Sequence, residues 1–394
     1  MKVTNIKQET VMSSKSKFPV LMAGFAGMAF FGLAFVVMGA VLPSLISKFG
    51  LDTSQASTVA GLLPIGILLG SVIFGPVIDR YGYKRLMIAA TVVTVAGMEL
   101  LAFCSSVYMA RISIFVIGFG GGILNGISNA LVSDASTDKN RSANLSILGV
   151  FYTIGAITIP LLFATLSKTI SYTPIVAGAG VVMTLSVFYY AFVSFPDGKF
   201  KQGIPFKKVL SMAKEPALLL LSFTLFFQSG IEGIASNWTS SYLELEKGFD
   251  KESALYALSL IVMGIGAGRI VLGFLLRKIS KNIILTISIL IAALGTLIMY
   301  LFTSQAAVSA GTFMIGLGLA STFPIVLSEV GEKYKEMSGT AFSFALVIAL
   351  TGNTLINLLV GALDFKQFPI LLIICSLLVP VIYLINYQYF RSKN

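Results

Sequence analysis

The sequence predicts an all-α membrane protein: twelve transmembrane helices arranged as two pseudo-symmetric six-helix bundles. Three observations predict it. Of 394 residues, 56% are hydrophobic and 11% charged, against about 25% charged in ordinary soluble domains. The apolar residues fall in runs of about 20, the length a helix needs to cross a bilayer. Segments of the first half recur in the second at a spacing of about 198 residues.

Apolar runs at 18–42, 57–78, 86–104, 109–132, 143–166 and 172–195 mark the first six spans. Residues 1–17 form a polar, basic tail, and the run after them is too long for a signal-peptide core, so it reads as the first span. A Lys-rich polar stretch, 196–215, separates the halves. Runs at 216–243, 253–276, 282–302, 306–328, 338–362 and 367–390 mark spans seven to twelve, with a short tail at 391–394. Gly118, Gly122 and Gly126 give span four a small face suited to close helix packing. Pro64, Pro160 and Pro324 mark bends.

Orientation follows from the cations. With the first tail inside, 21 of the 28 Lys and Arg residues lie in inner loops or tails, and five, Lys48, Lys168, Lys247, Lys251 and Lys366, lie outside. That asymmetry predicts both termini in the cytoplasm of a multi-pass protein of the cell inner membrane. The net charge of +11 then belongs to loops on one membrane face, not to a nucleic-acid surface. The partners to expect are the lipid bilayer and a small solute, with the chain acting as a monomer.

Other chemistry is excluded residue by residue. The chain has no histidine, which removes His-based relays, triads and metal sites. Cys104 and Cys375 lie in or beside apolar runs far apart and read as buried thiols. No Walker A pattern or nucleophile–base pair is present, so neither an enzyme nor a bound cofactor or metal is expected.

The internal echo is specific. Gly75-Pro76-Val77-Ile78-Asp79-Arg80 closes span two, and Gly273-Phe274-Leu275-Leu276-Arg277-Lys278 closes span eight. Ile117-Gly118-Phe119-Gly120 is matched by Ile315-Gly316-Leu317-Gly318, and span ends near Ser133-Asp134 and Ser328-Glu329 correspond. Duplicated halves around a midplane site are the usual plan of secondary transporters.

The segment Gly75-Pro76-Val77-Ile78-Asp79-Arg80-Tyr81-Gly82-Tyr83-Lys84-Arg85 resembles the loop 2–3 signature of the major facilitator superfamily. Within it, two stretches resemble the fucose:proton symporter family of sugar carriers. One is Gly230-Ile231-Glu232 through Trp238 to Tyr242 in span seven; the other is Gly120-Gly121-Gly122 through Asn125 to Asn129 in span four. The resemblance implies a secondary active transporter that moves a small polar solute, a monosaccharide by preference, by alternating access. It also shows departures. Asn125 stands where the family has an acid, and Met38-Gly39 offers no carboxylate where it has another, so proton coupling does not carry over with the resemblance; Glu232 is the candidate proton carrier on its own position. Rival readings are an exporter of drugs or amphiphiles, an uncoupled sugar facilitator and a solute-binding membrane sensor. The amide-rich spans argue against the first, and the short tails against the last.

A charge at mid-membrane costs about 2.5–3.5 kcal/mol on insertion scales, so such residues need a reason. Glu232 is the first candidate, for solute binding and proton uptake, with Gln228 four residues earlier on the same helical face. Asn125 with Asn129, and Asn353 with Asn357, repeat that spacing in spans four and eleven, and amides suit a neutral polyol. Trp238, the only tryptophan, reads either as an interfacial anchor or as a platform for a sugar ring, and Tyr152 and Tyr242 are weaker versions of the same idea. Helix-to-helix hydrogen bonding is the structural alternative for the acids and amides.

Gating residues form a second set. Arg269 is expected to pair with a carboxylate such as Glu232 or Glu329 in a gating or packing role, or else to bind an anionic solute. Asp79, Arg80, Lys84, Arg85 and Asp134 gather at the inner surface, where charge pairs would hold the halves together while the outer side is open. Asp134 is expected to meet a base of loop 2–3. Glu329 with Arg277 or Lys278 would be the counterpart in the second half. Glu99, in span three, reads as a helix contact.

Overall fold

In a computed structural model, the structure describes residues 14–51, 53–166, 170–198, 211–212, 214–363 and 365–391. Most of the expected N-terminal tail, much of the 196–215 linker and the last three residues lie outside them. Every regular element among the described residues is a helix, and twelve are long and apolar enough to cross a membrane.

The first set comprises α1 (Ser14–Phe49), α2 (Thr53–Tyr81), α3 (Tyr83–Ala102), α4 (Val107–Ala135), α5 (Arg141–Leu166) and α6 (Tyr172–Phe192). The second comprises α7 (Pro216–Lys247), α8 (Lys251–Leu275), α9 (Lys281–Leu301), the pair α10 (Gln305–Leu319) and α11 (Thr322–Lys333), then α12 (Ser338–Ala362) and α13 (Phe368–Arg391). Helices α10 and α11 together form the tenth span; α12 and α13 are the eleventh and twelfth. Several helices outrun their apolar cores: α1 continues to Phe49 and α7 to Lys247. Lys48 explains the first extension, because its ammonium donates to the Cys104 carbonyl (2.8 Å) and the Tyr172 hydroxyl (3.0 Å).

The tenth span breaks where the sequence placed a bend, one turn ahead of the proline itself. Pro324 has no N–H to give the carbonyl four residues earlier, and the helix stops at Leu319 and restarts at Thr322.

Small residues set the packing within each set. Added side-chain carbons at Gly118 and Gly122 would strike the α2 backbone at Leu63 and Ile67, and one at Gly126 would strike the Phe74 ring. The span-four glycine face is thus the α2–α4 contact. Between the sets, α2 packs on α12 and α5 on α8. These two seams carry the same hydrogen bond. Ser146 of α5 donates to the carbonyl of Arg269 on α8 (2.6 Å), and Ser343 of α12 donates to the carbonyl of Ser71 on α2. Ser71 and Arg269 are 198 positions apart, and Ser146 and Ser343 are 197 apart, so a pseudo-two-fold axis relates the seams.

Candidate functional site

A cavity of about 260 Å³ lies where the two sets meet. Its polar wall comes from four helices. Asn125 and Asn129 project from α4, Glu232 and Asn237 from α7, Arg269 from α8 and Asn353 from α12. Aromatic and apolar side chains fill the rest, among them Phe31, Phe35, Tyr152 and Phe323.

The charged pair is central. Arg269 Nη2 lies 4.0 Å from Glu232 Oε1, and the two side chains are 9% and 23% exposed, so the acid is the member open to the cavity. Arg269 reaches across the seam as well. Its Nη1 donates to the Gly149 carbonyl of α5 (3.1 Å) and its guanidinium lies 5.8 Å over the Tyr152 ring. Gly149 makes this possible, since a Cβ there would collide with the arginine side chain. One cation therefore joins an acid of the second set to the backbone of the first.

The amides occur as two matching pairs. Asn129 Nδ2 donates to both the backbone and side-chain oxygens of Asn125 (2.9 and 3.0 Å). Asn357 does the same to Asn353 (2.8 and 3.0 Å). Asn353 Nδ2 in turn donates to the Ser229 carbonyl on α7 (3.0 Å).

Not every sequence-predicted contact reaches the cavity. Gln228 is fully buried and donates to the carbonyl of Leu319 (2.9 Å), the last residue of α10. A helix end leaves its final carbonyls without partners, and Gln228 meets one at the break, so the i, i+4 spacing to Glu232 does not put both in one wall. Trp238 and Asn357 lie behind the lining, joined by a hydrogen bond from Trp238 Nε1 to Asn357 Oδ1 (3.0 Å). Tyr242 is buried against Phe368. The lining also includes Asn237, Ser229 and Ser236, which the sequence did not single out; Ser236 and Asn237 had only their place in the span-seven motif as a signal, and Ser229, one residue ahead of it, had none.

The inner-surface candidates separate by charge. Asp79, 2% exposed, accepts from the Gly339 and Thr340 N–H groups (3.2 and 2.8 Å) and from the Thr340 hydroxyl (2.7 Å). These groups belong to the first turn of α12, whose orphan donors and positive dipole end favour an anion. Asp134 accepts from Tyr83 (2.7 Å) and from Ser338 of α12 (3.0 Å). The bases face outward: Arg80 and Arg85 are exposed, Arg80 lying over the Tyr81 ring, while Lys84 donates to the Ala191 carbonyl of α6. An ion pair that the sequence did not suggest, Asp138–Lys335 (3.0 Å), also spans the sets, with Arg141 on the same carboxylate (2.8 Å). The two cations hold the Asp138 carboxyl below its ordinary pKa, chiefly through their hydrogen bonds. In the second set, Glu329 accepts from Tyr383 of α13 and Arg277 is exposed. Among the described residues these two do not meet, because Glu329 faces inward to α13 and Arg277 sits on the open turn after α8. Glu99 lies against Gly180 of α6, as a helix contact would.

Exposure along the lining shows how the cavity opens. Leu145, Leu327, Leu346 and Arg269, towards the Lys- and Arg-rich end of the helices, are buried; Phe35 and Asn237, past the midpoints of α1 and α7, are exposed. The cavity is sealed at the basic end and opens towards the other.

Twelve apolar spans in two related sets, with a polar, charge-bearing cavity at their seam, define a multi-pass membrane carrier. A family profile for the Major Facilitator Superfamily matches residues 24–382, and the chain belongs to that superfamily. It is 25% identical over 357 residues to the glucose/mannose transporter GlcP of Bacillus subtilis (strain 168), covering 85% of this chain and 86% of that protein. Among solved structures, FucP in the outward conformation superposes with a TM-score of 0.81 at 16% identity, covering 94% of this chain and 99% of that one. The proton:xylose symporter XylE gives 0.76 at 14% identity, covering 93% and 95%. At these identities the structural likeness shows the fold alone.

Proposed function

We propose that this carrier moves a small neutral polyol, a monosaccharide by preference, across the cell inner membrane by alternating access, with proton symport through Glu232. The observation that carries the reading is the Glu232–Arg269 pair set among cavity amides at the seam. Amides and a carboxylate offer donors and acceptors together, which is what a hydroxyl needs. The cavity of about 260 Å³ is smaller than the ~300–1,000 Å³ of pockets for drug-sized ligands, which supports a small solute over an amphiphile. The similarity to a glucose/mannose transporter points the same way.

The proton step follows from the charges. Ionised Glu232 is held by Arg269; protonated Glu232 is neutral and releases it. Arg269 also binds the Gly149 carbonyl of the first set, so the protonation state of one acid changes a contact between the sets. The basic-end contacts, Asp79 on α12 and Asp138 on Lys335, act as the latch of the state closed on that side. The excess of cations at that end supports a cytoplasmic position for it and for both termini, which makes the state outward-facing.

Uptake into proteoliposomes from a panel of labelled sugars, with and without an inward proton gradient, tests the reading. Accumulation of a hexose above equilibrium only with the gradient is the expected result. Movement of lipophilic cations with no sugar uptake would overturn the substrate class, and gradient-independent equilibration would overturn symport.

A further inference from the structure

Asn357 touches no part of the cavity, yet its amide is fixed at both ends by groups of one polarity. Its Nδ2 faces the Asn353 backbone carbonyl (2.8 Å), which only accepts. Its Oδ1 faces Trp238 Nε1 (3.0 Å), which only donates. Amide orientation is assigned by partners, and here both partners agree. The same Oδ1 accepts from Asn237 Nδ2 (2.9 Å). That contact commits the Asn237 amide in turn: its nitrogen is turned to Asn357, leaving its oxygen for the cavity it lines.

We propose that Asn357 is a positioning residue for solute specificity, acting through Asn237. It holds the Asn237 side-chain oxygen as an acceptor, so the solute must bring a hydrogen-bond donor to that point. A hydroxyl satisfies it; a fluorine, which accepts but cannot donate, does not. The inference rests on the polyol reading above and adds the polarity of one wall. Trp238, on this account, pins Asn357 and is not the stacking platform.

The test uses the full-length carrier in detergent or proteoliposomes and a panel of monodeoxy and monodeoxyfluoro hexoses competing with a transported hexose. In the native protein at least one deoxyfluoro analogue is rejected as strongly as its deoxy partner, about tenfold or more, the worth of one good hydrogen bond. Asn357→Leu frees the Asn237 amide to rotate and donate to fluorine, so that deoxyfluoro penalty falls several-fold while the deoxy penalty stays. Asn357→Asp at low pH, whose neutral carboxyl keeps an acceptor and one donor, restores the native pattern. Because Trp238 is the only tryptophan, its emission reports the hydrogen bond directly: Asn357→Leu shifts it and Asn357→Asp does not. An unchanged panel and emission in Asn357→Leu would overturn the proposal. Failure of every hexose to bind the native protein would instead overturn the polyol reading, while the emission shift would still decide whether Asn357 holds Trp238.

Discussion

Glu232 and Arg269 come from different helices of the same set, but the arginine spends its other contacts on α5 of the opposite set. Truncating the arginine leaves a half-buried carboxylate without its cation, a loss worth about 3–5 kcal/mol for a fully buried pair. Arg269→Ala is therefore expected to lower the thermal unfolding midpoint more than the near-isosteric Glu232→Gln, measured on purified protein. Glu232→Gln is expected to abolish gradient-driven accumulation while preserving solute counterflow; gradient-driven accumulation at the native level would remove Glu232 as the proton carrier. Asp138 makes a prediction with a sign. Its carboxyl titrates below the ordinary carboxylate range, so its bridge to Lys335 is intact above about pH 4 and is lost only as pH falls through the lowered value. The pH dependence of uptake between pH 5 and 8 should thus be unchanged by Asp138→Asn.

Two elements bear on the proposed alternating access. The first is the α2–α12 crossing, where Gly75 and Gly339 bring the backbones together and a Cβ on Gly75 would meet the Gly339 carbonyl. Gly75→Leu is expected to hold the basic end apart. Maleimide labelling of Ser343→Cys from that side should then rise several-fold over the same cysteine in the native background; unchanged labelling would mean that the crossing does not seal the seam. The second is the break between α10 and α11. Gln228 answers the Leu319 carbonyl there, and orphaning such a group costs about 1–3 kcal/mol. Gln228→Leu should lower the unfolding midpoint without altering which sugars compete for uptake. A change in sugar selectivity would return Gln228 to the binding site.

At the scale of the molecule, two seams related by a pseudo-two-fold carry one shared serine-to-carbonyl hydrogen bond and different charges. The α2–α12 seam ends in a carboxylate on a helix N-terminus; Arg277, the position matching Asp79, is exposed. The proposed latch thus has no matching Glu329–Arg277 pair among the described residues, where the repeat suggested one. The fold was legible because a bilayer leaves few options: apolar runs of fixed length, a cation bias and a 198-residue echo suffice to specify twelve spans in two sets. Of the polar cavity lining, Glu232, Arg269, Asn125, Asn129 and Asn353 were legible, since polar groups in apolar helices are costly and stand out. Gln228 and Trp238 looked the same in sequence and proved to face a helix break and an amide. What a buried polar side chain meets depends on the rotation of its helix and on its neighbours across the seam, and no local pattern encodes either. The sequence by itself determined the spans, their pairing by duplication and the residue types of the wall. Tertiary packing alone decided which of them face the cavity, which end is sealed and which way each amide points, because those are properties of contacts between helices far apart in the chain.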